Sequence, residues 1–328
     1  MADEPPAAEV EQPRAVWLDC DPGYHPQIRL IGISTVAGNQ TVEKVTHNAL
    51  AVLAAAGLSG IGTASPFTSV CCTLLQPILC PEIHGESGLD GPLGGPVLPP
   101  SEQQPVAGKA PNVMFERISQ HFRDTGQRVH LVAVAALTNV ALLLMLYPEV
   151  LGMVEVVIMG GCMGVGNTGP VVEFNIQTDP EAAKVVFESG ARLTMVPLEV
   201  THTAVVTTSI LQRIRTHRPS PFLTLMVTLL MFFADTYKAV FRFNDPPLHD
   251  PCAVAYVVAP KIFQVEHLRV DVETGSTLSA GQTVTDIWHQ SGRPKNVHVC
   301  MAMDVEKFWE MMIDAIHRAD LVSPLNKD

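Results

Sequence analysis

The chain has 328 residues, 47% of them apolar, which is ample for a packed core, and a formal net charge of −12. That acidic balance, with no basic stripe to offset it, argues against a nucleic-acid partner and leaves small polar ligands and metal cations. Seven cysteines, an odd number without a C-x-x-C pair, fit free thiols in a reducing compartment, so the cytosol is the expected location.

Residues 1–13 are acidic and proline-rich, lack the basic and apolar regions of a secretion signal, and read as a disordered tail. A first buried strand runs through Val16-Trp17-Leu18-Asp19 and is stopped by Asp21-Pro22-Gly23. If Asp19 and Asp21 are both extended, their side chains leave one face and can converge on a cation or a water; the alternative is a turn with solvated acids. Ile28 to Val36 reads as a second strand, closed by Ala37-Gly38-Asn39. A helix follows from Thr41, with Val45, Ala49, Val52 and Ala56 at helical spacing and Gly57 as its stop.

Ile61 to Ala64 makes a short third strand. From Pro66 to Pro111 the chain is dense in Pro and Gly and reads as a long surface excursion, either a lid or a solvated crossing, that carries His84-Gly85-Glu86. A helix at Val113 to Phe122 leads to a fourth strand, Val129 to Ala135, and Leu137-Thr138-Asn139 opens a Leu-rich helix. The fifth strand, Glu155 to Met159, runs into a glycine-rich loop bearing Asn167, Glu173, Phe174 and Asn175. The next helix has Thr178 or Asp179 at its cap, Pro180 in its first turn and Gly190 beyond its end. Leu193 to Leu198 is a sixth strand ending at Glu199.

Helical patterns fill Ser209 to Phe241. The apolar run Phe222 to Ala234 falls short of the ~20 residues that span a bilayer and reads as a core helix, with no membrane partner expected. After the break at Asn244 to Pro247, Asp250 is placed to cap a helix from Cys252 to Val258. Leu268 to Val272, Thr277 to Ser279 and Val297 to Met301 read as edge strands. Asp304 caps a last amphipathic helix, and 323–328 form a tail.

The alternation of strand and helix predicts an α/β fold, one domain over 14–322, with a mainly parallel sheet covered by helices on both faces. Ligands in such folds sit beyond the carboxyl ends of the strands, where Asp19, Asp21, Asn39, Thr138, Asn167 to Asn175 and Glu199 fall. No G-x-G-x-x-G follows the first strand, no G-x-S-x-G is present, and His84-Gly85-Glu86 lacks a following P-C-x-x-C. What remains is carboxylate and amide oxygen, with His249 beside Asp250. Such donors suit Ca²⁺ or Mg²⁺ and a polyhydroxylated ligand, although singly Asn39 and Asp250 could be helix caps.

Taken together, the blocks LDCDPG at 18–23, GISTVAGNQT at 32–41, HGESG at 84–88, ALTNVA at 136–141, IMGG at 158–161, EFNI at 173–176, DPEAA at 179–183 and HDPCAVAYV at 249–257 closely resemble the inosine-uridine preferring nucleoside hydrolase family. The resemblance implies a Rossmann-like fold, a homodimer or homotetramer, and cleavage of a ribonucleoside's N-glycosidic bond by a water on bound Ca²⁺. By position, Asp21 matches the general base and a calcium ligand, and Asp250 and the Thr138 carbonyl match further ligands. Asn39, Asn167, Glu173 and Asn175 match residues that hold the ribose hydroxyls, and His249 the position that aids the leaving base.

One departure stands out. The family reads D-x-D-P-G-x-D-D-A followed by a helix, whereas here Gly23 leads into Tyr24-His25-Pro26-Gln27. The second Asp pair and the first crossover helix are missing, so the first βαβ unit is truncated. A parallel crossover takes about a dozen residues, so the first two strands are expected not to be parallel neighbours, and an apolar sheet face is expected to be bared. Impaired activity follows, and the alternative is an inactive family member that serves as a ribose-binding or structural subunit.

Overall fold

Strand β1 (Arg14–Asp19) alternates its side chains between two apolar layers, with Val16 and Leu18 on one face and Ala15 and Trp17 on the other. The computed structural model describes residues 13–19, 28–58, 67–69, 78–89, 98–215 and 219–327. The other strands are β2 (Ile28–Thr35), β3 (Phe67–Ser69), β4 (Val129–Ala133), β5 (Val154–Met159), β6 (Leu193–Val196), β7 (Phe263–Val272), β8 (Thr283–Asp286) and β9 (Val297–Met303). They form one sheet in the order β3-β2-β1-β4-β5-β6-β9-β7-β8. All pairings are parallel as far as β6 with β9, and the last two, β9 with β7 and β7 with β8, are antiparallel.

The helices are α1 (Val42–Ala55), α2 (Pro81–His84), α3 (Ala110–Thr125), α4 (Thr138–Leu146), α5 (Phe174–Thr178), α6 (Pro180–Glu188), α7 (Leu198–Thr201), α8 (Thr208–Arg215), α9 (Pro221–Phe241), α10 (Asp250–Val258) and α11 (Val305–Val322). Leu50 and Leu53 of α1 and Phe308 of α11 pack on the Val16 face, while Ile118 of α3 and Leu143 of α4 pack on the Trp17 face. A single α/β domain with helices on both faces results, as the alternation predicts.

The expectation that β1 and β2 cannot be parallel neighbours is corrected. They pair in parallel from Arg14 with Ile28 to Asp19 with Ser34, with a register shift between Val16 and Trp17. Eight residues, 20–27, separate the two strands. Eight extended residues reach about 28 Å, more than the ~20 Å length of a six-residue strand, so eight residues are enough for a parallel return. At the shift, a Cβ on Gly32 would lie 2.2 Å from the Trp17 ring, so only glycine lets the indole cross there.

Right-handed crossovers in one direction place their helices on one face, so a helix between β1 and β2 would lie beside α1. An apolar groove of about 280 Å³ opens on that face, lined by Leu18, Val52, Met226, Leu230, Val254 and Met312 among others. Helix α9 flanks it. Its Phe222, Leu223 and Val227 belong to the core, but over Pro221–Ala239, a stretch long and apolar enough to cross a bilayer by length and composition, only 27% is buried. The core-helix expectation therefore holds for one side of α9 only.

Several boundaries differ from expectation, and four of the differences change an assignment. The third strand is Phe67–Ser69, and Ile61 to Ala64 lies outside the described residues. Thr277 to Ser279 is a turn, folded by the Glu273 carboxylate accepting from the Gly275 and Ser276 N–H groups, and the edge strand is Thr283–Asp286 instead. Asp250 is the first residue of α10 and not its cap; His249 occupies the cap position without capping, because its ring is engaged elsewhere. The C-terminal residues expected as a tail are tied down as far as Asn326, with the Ser323 hydroxyl donating to the Ala55 carbonyl and the Asn326 amide to Asp320.

Candidate active site

Beyond the carboxyl ends of β4 and β5 lies a cleft of about 430 Å³ whose wall includes Asn39, Asn167, Glu173, Asn175, His249 and Asp250. The structure thus gathers six of the eight predicted site residues. Thr138 is buried outside this wall, where its hydroxyl donates to Asp179 Oδ2 at 2.5 Å. Asp21 lies outside the described residues.

Asn175 ties the two strand ends together, its amide donating to the carbonyls of Val134 (3.1 Å) and Met159 (3.0 Å). Both N–H groups are then used, and Oδ1 is left to accept. Glu173 caps α5: Oε1 accepts from the Asn175 N–H, and Oε2 from those of Gly161 and Ile176. Burial nevertheless pushes this carboxyl up to about 7, against the lowering effect of those three bonds. With four lone-pair sites and three in use, one acceptor site remains. Asn167 closes its own loop, Oδ1 accepting from the Phe174 N–H at 2.9 Å, which leaves its amide to donate. The cleft therefore offers two acceptors and one donor from three neighbouring side chains, a pattern suited to vicinal hydroxyls.

A different chemistry is built around His249. Its Nδ1 lies 2.7 Å from the Thr201 hydroxyl and its Nε2 2.9 Å from the Tyr237 hydroxyl. Burial first, then the neighbouring His202 and His84, push the ring down to about 3, so it is neutral at physiological pH. Burial and the charges of Asp250 and Glu173 keep the Tyr237 phenol protonated. Sequence reasoning missed Thr201 and Tyr237. The available sign was a lone phenol in the short polar stretch Asp235 to Lys238 that ends a mostly apolar helix, twelve positions before His249.

Asp19 stands behind the wall, fully buried. Its Oδ1 accepts from the Ser34 hydroxyl (2.5 Å) and the Asn139 amide (3.1 Å), and burial pushes it up to about 6. Asp19 Oδ2 and Asn139 Oδ1 have no hydrogen-bond partner among the described residues. No group of three His, Cys, Asp or Glu capable of holding a metal occurs among them. The donors are nevertheless all oxygen, and two buried acceptors without partners, one on the residue next to Thr138, suit a hard cation in kind.

A model of inosine-uridine preferring nucleoside hydrolases matches residues 16–310. A Dictyostelium discoideum protein named "Probable ribonucleoside hydrolase" is 46% identical over 322 residues, covering 92% of this chain and 94% of its own. The inosine-uridine preferring nucleoside hydrolase of Leishmania major is 37% identical over 326 residues, covering 93% of this chain and 98% of its own. Among solved structures, a purine-preferring ribonucleoside hydrolase from Gardnerella vaginalis superposes with a TM-score of 0.80 at 24% identity, covering 94% of this chain and 100% of that one.

Proposed function

Because the chain belongs to the inosine-uridine preferring nucleoside hydrolase family, we propose that it hydrolyses the N-glycosidic bond of a ribonucleoside held in this cleft. The observation that carries the reading is the convergence of Asn167, Glu173 and Asn175, whose remaining hydrogen-bonding capacity matches ribose hydroxyls. A cleavage of this type develops an oxocarbenium-like sugar, and a buried carboxylate whose orientation is fixed by three backbone N–H groups stabilises positive charge without reorganising. Asn39 supplies a further amide in the cleft wall. At the other chemical pole, Tyr237 presents its phenol to the leaving base, with the neutral imidazole of His249 bonded behind it.

In this reading Asp21, the Thr138 carbonyl and Asp250 hold a calcium ion, and Asp21 is the general base. When bound, the ion would make a coordinated water a better nucleophile near neutral pH. The missing Asp pair after Gly23 removes a charged oxygen from that set, so turnover is expected to be low. Loss even of a metal's outer-shell partner commonly lowers affinity or activity by ~10–100-fold. That same absence favours a second reading, an inactive ribose-binding or structural subunit. A cytosolic homodimer or homotetramer completes the proposal.

Assaying sugar release from inosine and uridine, with calcium and with a chelator, separates the readings. Turnover that the chelator abolishes supports the hydrolase. Saturable nucleoside binding without turnover supports the ribose-binding subunit, and the absence of both binding and turnover refutes the hydrolase and the ribose-binding subunit alike, leaving the structural one.

A further inference from the structure

We propose that Thr201 is a positioning residue that fixes the tautomer of His249 and so decides whether the base end of the cleft shows a ligand an acceptor or a donor. The ligand half of this proposal rests on the nucleoside reading; the tautomer half does not.

A neutral imidazole has one N–H and one lone pair, so Thr201 and Tyr237, bonded to its two nitrogens, must play opposite parts. Two assignments are possible. In the first, Nδ1–H donates to Thr201 Oγ1, the Thr201 hydroxyl donates a hydrogen bond to the Leu198 carbonyl 3.4 Å away, and Tyr237 donates to Nε2. Every proton then has an acceptor. In the second, Thr201 donates to Nδ1, Nε2–H donates to Tyr237, and the phenol proton points into the cleft with no acceptor among the described residues. Thr201 is fully buried, so no solvent competes for its hydroxyl. The Leu198 carbonyl already receives the His202 N–H at 2.8 Å, and its second lone pair takes the threonine.

The first assignment leaves one hydrogen bond more among the described residues and is the resting state. Its consequence lies at Tyr237. With its proton drawn to Nε2, the phenol oxygen turns lone pairs toward the cleft, and the base edge it recognises is one bearing an N–H or amino donor. Threonine suits this role because one hydroxyl can accept and donate at once. A serine would serve equally, whereas a valine leaves Nδ1 with nothing to bond.

Two-bond ¹H–¹⁵N correlation spectra of histidine-labelled full-length protein, without ligand, read the tautomer directly, with His249→Gln assigning the signal. Wild type and Thr201→Ser should carry the proton on Nδ1, and Thr201→Val on Nε2. A wild-type ring protonated on Nε2, or a valine variant still protonated on Nδ1, overturns the proposal. If the valine variant does not fold, the wild-type spectrum alone decides. In the ligand arm, hypoxanthine, which carries N–H donors, should bind Thr201→Val about tenfold more weakly than wild type, the loss of one neutral hydrogen bond, with Thr201→Ser restored. Equal affinity across the three refutes the ligand half. If hypoxanthine binds none of them, the ligand half fails, the nucleoside reading is decided separately by inosine and uridine turnover, and the spectra still decide the tautomer.

Discussion

Gly166→Ala should disable the ribose end of the cleft while leaving the fold intact. The glycine sits where the loop doubles back: its N–H donates to the Pro170 carbonyl at 3.1 Å, and the next residue, Asn167, donates its N–H to the Val172 carbonyl at 3.1 Å. A Cβ on Gly166 would stand 2.1 Å from the Val172 oxygen, 2.3 Å from the Val172 nitrogen and 2.6 Å from the Gly169 oxygen. All three are backbone atoms, so the loop must open. Breaking the two backbone bonds at about 1 kcal/mol each gives about 2 kcal/mol, or roughly 30-fold in the affinity of any ligand that needs Asn167 in place. Because the loop can open without unfolding the sheet, the melting temperature should change little. Gly169→Ala is the matched control, since its Cβ would meet nothing closer than the Val172 Cβ at 3.9 Å. Calorimetric titration with inosine and thermal melts of the three proteins test this. Affinity within twofold of wild type in Gly166→Ala, or an equal loss in Gly169→Ala, would refute the reasoning.

Asp250→Ala should weaken calcium binding and turnover together, because a cation seeking 6–8 oxygens loses a charged one; unchanged calcium affinity would remove Asp250 from the metal set. Ribose should bind more tightly than 2′-deoxyribose by about 1 kcal/mol for the hydroxyl lost, and equal affinities would count against a hydroxyl-reading site. Stability against pH carries two opposed contributions. Burial lowers His84 to about 4 and His249 to about 3, so from their ordinary value near 6.5 downward the unfolded chain takes up protons and stability is lost on acidification. Burial raises Asp19 to about 6 and Glu173 to about 7, and the stability they contribute at low pH is lost as pH rises through those values. Urea unfolding should therefore vary little for wild type between pH 5 and 8, whereas a His84→Gln, His249→Gln double variant should be more stable at pH 5 than at pH 8; an unchanged profile excludes the histidines as the acid-sensitive groups. Inserting a family-like D-D-A helix after Gly23 should raise both turnover and melting temperature, and equal values for the two proteins would show that the truncation is harmless.

Much of the cleft is legible in the sequence because its residues stand at strand ends. Asn167, Glu173 and Asn175 follow β5, and Pro180 with Asp179 marks the start of α6 by rules that local chemistry enforces. What the sequence conceals is a matter of partners. Thr201 reaches the site only through its contact with His249, 48 positions away, and Tyr237, twelve positions before His249, joins the cleft wall from another helix; no local pattern encodes either. Asp250 looks like a cap because Asp-Pro is a common helix start, yet the helix begins one residue earlier than that rule implies, and the carboxylate still adds favourable negative charge to the first turn. The β1–β2 pairing is misjudged because the usual crossover length presumes a helix; reach alone sets a lower limit.

The parallel pairing of β1 with β2, only eight residues apart in the chain, has a consequence for the order in which the sheet assembles. Arg14 pairs with Ile28, so this contact closes a short loop and can form as soon as both strands leave the ribosome. The other edge of β1 waits for β4, from Val16 to His130, a span that takes roughly ten seconds to synthesise at the usual elongation rate. During that interval an apolar strand, Val16-Trp17-Leu18, presents its free backbone edge, a template for other nascent chains. Soluble yield should therefore depend on translation speed between β2 and β4: synonymous slow codons placed there should lower it, and the same codons placed after β4 should not.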